Sequence, residues 1–543
     1  MTTDGGQAAT GLPTDDLGTE RALILGLGRR GGGEGATRFL AERGASVFVY
    51  DSLPATELAA TLRRLADLAN LDLSLLGTRV EDLDLDGWDL VVRNPAIPVD
   101  APVLDALRAR NVPIETEASL FIEHFPGRAI TITGTKGKTS TAFYLHHLLG
   151  GGEGGAEVGG DGSDGGDGSD GAVDVLLAGN MGGSALEALT GRTADSIAVM
   201  EVSSFQTETI AERGLEIPIA CLTNLMADHQ DRYLKAGMTA EEGLASYWAA
   251  KAALFANQRT DAWRVHPADL PNQLLADAPA RWFCVFADHP EAEGAAWIAD
   301  GAIHLRLLGA ADTTVEVLPV ADLPVADPHR QENVLIALAA ALLAGVDLDT
   351  LRRRLTTLPV VPHRMEPVPV DGPTVWINDT AASAPSAAAA GVRSRGATGS
   401  LTALSGGAPK GLPLQPLVDA YLATGCNVVL LPGEESARLA SLLDDAGVAY
   451  DGPFDTMADA VAAAATTGTD TVLLAPGCSS FGTNGYPGFE DEFDRGGQFV
   501  AAVLRQHGIA VSDRLAARLR APRRRSIAAE IERATADDAD PST

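Results

Sequence analysis

The chain has 543 residues, 73 acidic against 41 basic for a net charge of −32, and four scattered cysteines, Cys221, Cys284, Cys426 and Cys478. So long a chain exceeds one hydrophobic core and sets an expectation of roughly two to four domains. The acid excess argues against nucleic acid as a partner, and no apolar run reaches the ~18 residues of a membrane-spanning helix.

The cysteines show neither CxxC nor metal-ligand spacing, and Met1 to Glu20 lack the basic-plus-apolar pattern of a secretion signal. Reduced thiols and a cytoplasmic location are therefore expected. Only five lysines occur: Lys136, Lys138, Lys235, Lys251 and Lys410. High acid with little lysine fits a halophilic cytosol, where carboxylates keep a protein hydrated. GC-rich coding would explain arginine, alanine and glycine but does not require so much acid.

In chain order, residues 1–18 are Gly, Thr and Asp-rich and read as a disordered tail. Arg21 to Leu25 read as a buried strand running into a glycine turn, Gly26, Gly28 and Gly31 to Gly33. Thr37 to Arg43 read as helix, and Ser46 to Tyr50 as a second strand ending at Asp51. An acidic residue there is common in nucleotide-binding βαβ units. Leu90-Val91-Val92 leads to Arg93-Asn94-Pro95-Ala96, and this first α/β domain is expected to close near residue 112.

The stretch Ile130 to Thr141 reads as strand, phosphate-cradling loop and helix. Gly134 and Gly137 let backbone N–H groups turn toward an anion, and the helix N-terminus adds positive potential. Lys138 would reach terminal phosphates and the Thr139 hydroxyl would ligate Mg²⁺. The full P-loop pattern needs a glycine five residues before Gly137, where Ile132 stands, so the loop is a shortened variant. Gly150 to Gly171 cannot bury apolar surface and read as a disordered insertion. Val173 to Ala178, Ser196 to Glu201 and Ile219 to Thr223 read as strands of a mostly parallel sheet, with ligands expected at their C-terminal ends. His329 to Leu343 and Leu351 to Leu355 read as helices. From Pro362 the strand–helix alternation restarts as a third α/β unit, and after Gln506 an Arg-rich, then acidic, segment reads as a solvated helix and tail.

Several strand ends carry oxygen ligands or phosphate partners. Glu201 follows an apolar strand and suits a magnesium bridging phosphates. Asn180 sits in a tight turn after another strand, and Asp228, His229 and Asp231 follow a third.

Taken together, these residues resemble the ATP-dependent Mur ligase family. The resemblance rests on Thr133 to Thr139, Gly179-Asn180-x-Gly182, Glu201 to Gln206, Asp228-His229-x-Asp231-Arg232-Tyr233, Pro362 to Glu366, Ile377-Asn378-Asp379 and Pro476 to Phe481, and spans about residues 21 to 505. It implies an α/β protein of three domains. These are a Rossmann-like N-terminal domain for a UDP-sugar (19–112), a central P-loop ATPase domain with a mostly parallel sheet (113–362), and a Rossmann-like C-terminal domain for an amino acid (363–510), with 511–543 as tail.

The implied reaction adds D-glutamate to UDP-N-acetylmuramoyl-L-alanine through an acyl phosphate, with ATP and two Mg²⁺ ions as cofactors. The implied catalytic residues are Lys138, Glu201, His229, Lys251 and Arg364. ATP would meet Gly134, Thr135, Lys136, Gly137, Lys138, Thr139, Ser140, Asn333, Arg364 and Asp379. Thr139 and Glu201 would hold one metal, and His229 and a carbamylated Lys251 the other. Arg29, Asp51, Ser52, Asn94, Pro95 and Asn180 would contact the UDP-substrate, and Ser383, Lys410, Ser480 and Phe489 (or Phe493) the amino acid. The expected partners are small molecules, not nucleic acid or membrane, with the chain acting as a monomer.

Two departures concern specificity: Ala381 stands where the family's D-glutamate enzymes carry lysine, and extra residues, Gly482 to Gly488, follow Ser480. They leave open a Mur-like ligase acting on a different carboxylate and amino acid. A nucleotide-binding module without ligase activity is the other alternative, and the joint presence of Lys138, Glu201, His229, Lys251 and Arg364 argues against it.

Overall fold

The computed structural model describes residues 20–28, 31–152, 173–181, 183–226, 230–235, 237–271, 274, 280–307, 313–480 and 489–539. The expected N-terminal tail, most of the glycine-rich insertion, Arg29, Asp228, His229 and Gly482 to Gly488 lie outside these residues. The chain divides into two compact units, Met1–Pro359 and Val360–Thr543.

Unit one holds two sheets. In the first, β1 (Arg21–Leu25), β2 (Ser46–Tyr50), β3 (Leu71–Asp72), β4 (Leu90–Arg93) and β5 (Ile114–Glu115) lie in the order 3-2-1-4-5, all parallel. Successive side chains of a strand point to opposite faces. Accordingly Ala22 and Ile24 enter one core while Leu23 and Leu25 enter another. Burial on both faces is why these strands read as continuous apolar runs. The helix after β1 spans Gly32–Glu42, starting within the glycine run and not at Thr37. Glycines contribute no side chains to a helical period, which hid its first turn.

The middle sheet comprises β6 (Arg128–Thr133), β7 (Val175–Gly179), β8 (Ile197–Glu201), β9 (Ile219–Leu222), β10 (Trp263–Pro267), β11 (Arg281–Val285), β12 (Gly294–Ala299), β13 (Ala302–Arg306) and β14 (Thr314–Pro319). Among the described residues its order is 14-13-12-11-10-9-6-8-7. Strands β6 to β12 pair in parallel, and β12–β13–β14 form an antiparallel edge. Helix Pro328–Leu343 is buried along Asn333 to Ala341.

Unit two holds β15 (Glu366–Pro367), β16 (Val375–Asn378), β17 (Leu401–Ser405), β18 (Asn427–Leu430), β19 (Tyr450–Asp451) and β20 (Thr471–Leu474), in the order 15-16-20-17-18-19. Within this sheet, among the described strands, only the β15–β16 pair is antiparallel. Beyond Gln506 the expected solvated segment forms helices Asp513–Arg520 and Ile527–Ala539. Leu515, Leu519, Ile527 and Ala534 join the core that contains Trp376 and Phe499. Four apolar residues spread among arginines at helical spacing suffice to dock these helices, and this sparse stripe is what the composition concealed.

Candidate active site

Strand β6 lies between β8 and β9, so Thr133 delivers the phosphate loop to the middle of the sheet. Gly134 has φ 141° and Gly137 φ 84°, a backbone region costly for other residues. Space imposes the same choice, because a Cβ would stand 1.9 Å from Thr223 Oγ1 at Gly134 and 2.2 Å from Asn333 Oδ1 at Gly137. Asn333 accepts a hydrogen bond from Thr141 Oγ1 at 3.4 Å, which brings its side chain to the start of the helix after the loop.

The strand end Thr223-Asn224 anchors the loop, a role the sequence reading missed. Asn224 O accepts from Thr135 N (2.9 Å) and Asn224 Oδ1 from Lys136 N (2.9 Å). Lys136 O accepts from Thr223 Oγ1 (2.5 Å) and Asn224 Nδ2 (3.1 Å). Two of the amides expected to face an anion are thus committed to Asn224. Helix Lys138–Leu148 begins directly after the loop, and a helix N-terminus has the polarity to attract an anion. Lys138 Nζ donates to Gly134 O (3.1 Å) and Thr135 O (3.2 Å), which holds the ammonium over the loop.

Thr139 Oγ1 donates to Glu201 Oε2 at 2.7 Å, and Asn180 Nδ2 to Glu201 Oε1 at 3.4 Å. Register explains the meeting: Glu201 ends β8 opposite Ile132 of β6 and Gly179 of β7. A Ser203–Gln206 capping box then starts helix Ser204–Glu212. Adjacent hydroxyl and carboxylate oxygens at the start of a phosphate-loop helix suit a hard divalent cation. Lys251 is 2% exposed on helix Ala240–Ala252, with Nζ 4.6 Å from the Tyr247 ring centre. Thr207 Oγ1 ties that helix to Ser204–Glu212 through Ala250 O at 2.6 Å. No group of three His, Cys, Asp or Glu able to hold an ion occurs among the described residues, which omit Asp228 and His229.

Around the first sheet, Asp51 is buried. Its Oδ2 accepts from Gly28 N and its Oδ1 from Leu53 N, both at 2.9 Å. Asn94 Nδ2 donates to Gly26 O at 3.3 Å, so Asp51 and Asn94 converge on the glycine turn; Ser52 is exposed and Pro95 half-buried. Arg93, 1% exposed, donates from Nη2 to Thr209 Oγ1 (2.8 Å) and Phe205 O (2.6 Å), and from Nη1 to Ile97 O (2.7 Å). Arg232 donates to Pro95 O (3.0 Å) and Ala96 O (2.5 Å) and lies over Phe205. Two arginines thus bind the 94–97 loop to the helix that follows Glu201. Glu117 accepts from Ser184 Oγ and from Ala185 N (2.9 Å), and burial pushes its pKa up to about 7.

In unit two, Lys410 Nζ donates to Ser383 Oγ at 3.1 Å, bringing together two of the residues expected at the amino acid. Ser480 is buried, and Phe489 belongs to the core with Trp376. Asp379 Oδ1 accepts from Met365 N at 3.1 Å, which links it to the Arg364 loop. Burial, and next the Arg523 charge, hold the His363 ring well below its usual pKa. Among the described residues, no helix is long and apolar enough to cross a membrane.

The profile of the Mur ligase middle domain matches residues 132–341. The UDP-N-acetylmuramoylalanine–D-glutamate ligase of Roseiflexus sp. (strain RS-1) is 35% identical over 503 residues, covering 90% of this chain and 99% of that protein. The ligase of the same name from Symbiobacterium thermophilum is 30% identical, with 89% and 98% covered. The crystal structure of the UDP-N-acetylmuramate–alanine ligase of Thermotoga maritima shares the fold, with a TM-score of 0.51 at 16% identity, covering 90% of this chain and all of that one. The sheets, the phosphate loop with its Thr139–Glu201 pair, and this match along nearly the whole of a relative lead to one conclusion: the chain belongs to the Mur ligase family.

Proposed function

We propose that the protein is an ATP-dependent amide ligase that joins D-glutamate to UDP-N-acetylmuramoyl-L-alanine in peptidoglycan precursor synthesis. The carboxylate of the nucleotide-linked substrate attacks the γ-phosphorus of ATP and displaces ADP. The D-glutamate amine then attacks the acyl phosphate and displaces inorganic phosphate, leaving an amide. Phosphoryl transfer depends chiefly on positioning and charge neutralisation. Lys138 and the first-turn amides of its helix serve the phosphates, with Asn333, Arg364 and Asp379 assigned to the nucleotide's other end. Thr139 and Glu201 would hold one Mg²⁺, and His229 and a carbamylated Lys251 a second; such ions neutralise phosphate charge when bound. Asp51, Asn94 and the glycine turn serve the UDP-sugar, and Ser383 with Lys410 the amino acid. The enzyme acts as a cytoplasmic monomer.

The observation that carries this reading is the Thr139 hydroxyl bonded to Glu201 at 2.7 Å where the phosphate-loop helix begins. Incubation of the purified chain with ATP, Mg²⁺, UDP-N-acetylmuramoyl-L-alanine and D-glutamate tests it. Mass spectrometry is expected to find the substrate heavier by one glutamyl residue, dependent on ATP. ATP hydrolysis without that product would contradict the reading. Ala381, in place of the family lysine, supports a second reading in which the chemistry is unchanged but another amino acid is the nucleophile.

A further inference from the structure

Arg364 sits between two non-glycine residues in the left-handed region, His363 (φ 63°) and Met365 (φ 44°). Such backbone persists only where its surroundings hold it. Asp379 holds one side, through Met365 N. The other side is held by Glu366, 1% exposed, whose Oε2 accepts from His363 N at 2.8 Å. The rest of that carboxylate is taken by the C-terminal segment. Arg523 Nη1 donates to Oε1 at 2.8 Å, Arg523 Nη2 donates to Oε2, and Ile527 N donates to Oε1 at 3.1 Å. The Arg523 side chain is 2% exposed. The helix that follows Arg523, Ile527–Ala539, is fixed in turn by Ile527 and Ala534 in the unit-two core.

We propose that residues 521–527 form an intramolecular clamp that presets the Arg364 loop, with Arg523 as a positioning residue acting through Glu366. The clamp converts docking of the two C-terminal helices into a fixed conformation of the 363–365 backbone. Loss of Arg523 strands a buried carboxylate and relaxes the left-handed pair, so the Arg364 loop samples other conformations. Nucleotide affinity falls by the fraction of molecules that leave the competent one. The inference rests on the assignment of Arg364 to the nucleotide.

The test is calorimetric affinity of the full-length protein for adenylyl imidodiphosphate with Mg²⁺, which requires no knowledge of the amino acid. Arg523→Met is expected to weaken binding about tenfold, and Arg523→Lys less, because one charged donor survives. Affinity for UDP-N-acetylmuramoyl-L-alanine should stay unchanged in both, which a general loss of structure would not permit. If Arg523→Met does not fold, Arg523→Lys decides. Wild-type nucleotide affinity in the folded Arg523 variants, alongside weakened binding by Arg364→Ala, overturns the clamp alone. Wild-type affinity in Arg364→Ala overturns the assignment of Arg364, and the clamp with it.

Discussion

At the scale of single residues, the phosphate loop makes the sharpest commitments. Lys138 holds its ammonium across the loop through Gly134 O and Thr135 O, so Lys138→Ala should reduce phosphate release by roughly a thousandfold, mainly in kcat. Gly137→Ala would force a Cβ to within 2.2 Å of Asn333 Oδ1 at a φ of 84°. About 1–3 kcal/mol of stability should be lost, read as a shift of the urea midpoint. The Gly134 to Ser140 pattern and Glu201 were legible because small residues at fixed offsets have few other uses. The anchoring by Thr223 and Asn224 was not legible, since it comes from a strand about ninety residues away and depends on the sheet order.

Glu117 provides a pH prediction at the same scale. Burial, with Glu187 adding a smaller push, raises its pKa from the ordinary 4.5 to about 7, against the Ser184 and Ala185 donors. The unfolded chain therefore releases this proton at lower pH than the folded one, and stability falls as pH rises from about 4.5 to about 7. Glu115, also raised to about 7 by burial, adds to the same trend. Glu117→Gln should leave stability unchanged near pH 4 and increase it at pH 8, in urea titrations across that range. A pH-independent difference between the two proteins would contradict the assignment.

At the scale of elements, the link between the first sheet and helix Ser204–Glu212 is made by buried guanidinium donors. Arg93→Met removes bonds to Thr209, Phe205 and Ile97 at once. Burial, helped by the Arg232 and Arg108 charges and opposed by Glu208 and Glu212, pulls the Arg93 pKa down to about 10, so part of the bonding gain is already offset by desolvation. A loss of about 2–4 kcal/mol is expected, with a raised KM for the nucleotide-linked substrate, as the 94–97 loop loses its support. Strands β1, β2, β4, β6, β8 and β9 were legible as apolar runs because parallel strands are buried on both faces. Strands β10 to β14 were not. Trp263–Pro267 and Arg281–Val285 mix arginine, histidine and tryptophan into the run, and the antiparallel edge pairs through its backbone whatever its side chains. The C-terminal helices escaped notice for a related reason: their core contacts are few and set among arginines.

At the scale of the whole molecule, a charge of −32 opposes compaction over distances that salt can screen. The screening length falls from ~10 Å at 0.1 M salt to ~3 Å at 1 M. The thermal midpoint should therefore rise by several degrees between 0.1 M and 2 M KCl, measured by circular dichroism, and a flat or falling midpoint would count against a high-salt protein. The three-sheet architecture and the ATP-using half of the chemistry were readable from sequence, since the phosphate loop and its partners recur in order along the chain. The amino-acid half was less readable, because Ala381 stands where the resemblance implies a lysine and Gly482 to Gly488 carry no residue of the implied motifs.

The central claim is tested most directly by phosphate release from ATP in high KCl, with UDP-N-acetylmuramoyl-L-alanine fixed and a panel of D- and L-amino acids varied. Stimulation by D-glutamate well above L-glutamate and the other amino acids, and only when the nucleotide-linked substrate is present, is the predicted result. Release that D-glutamate fails to stimulate, or that proceeds equally without the UDP-substrate, would contradict it.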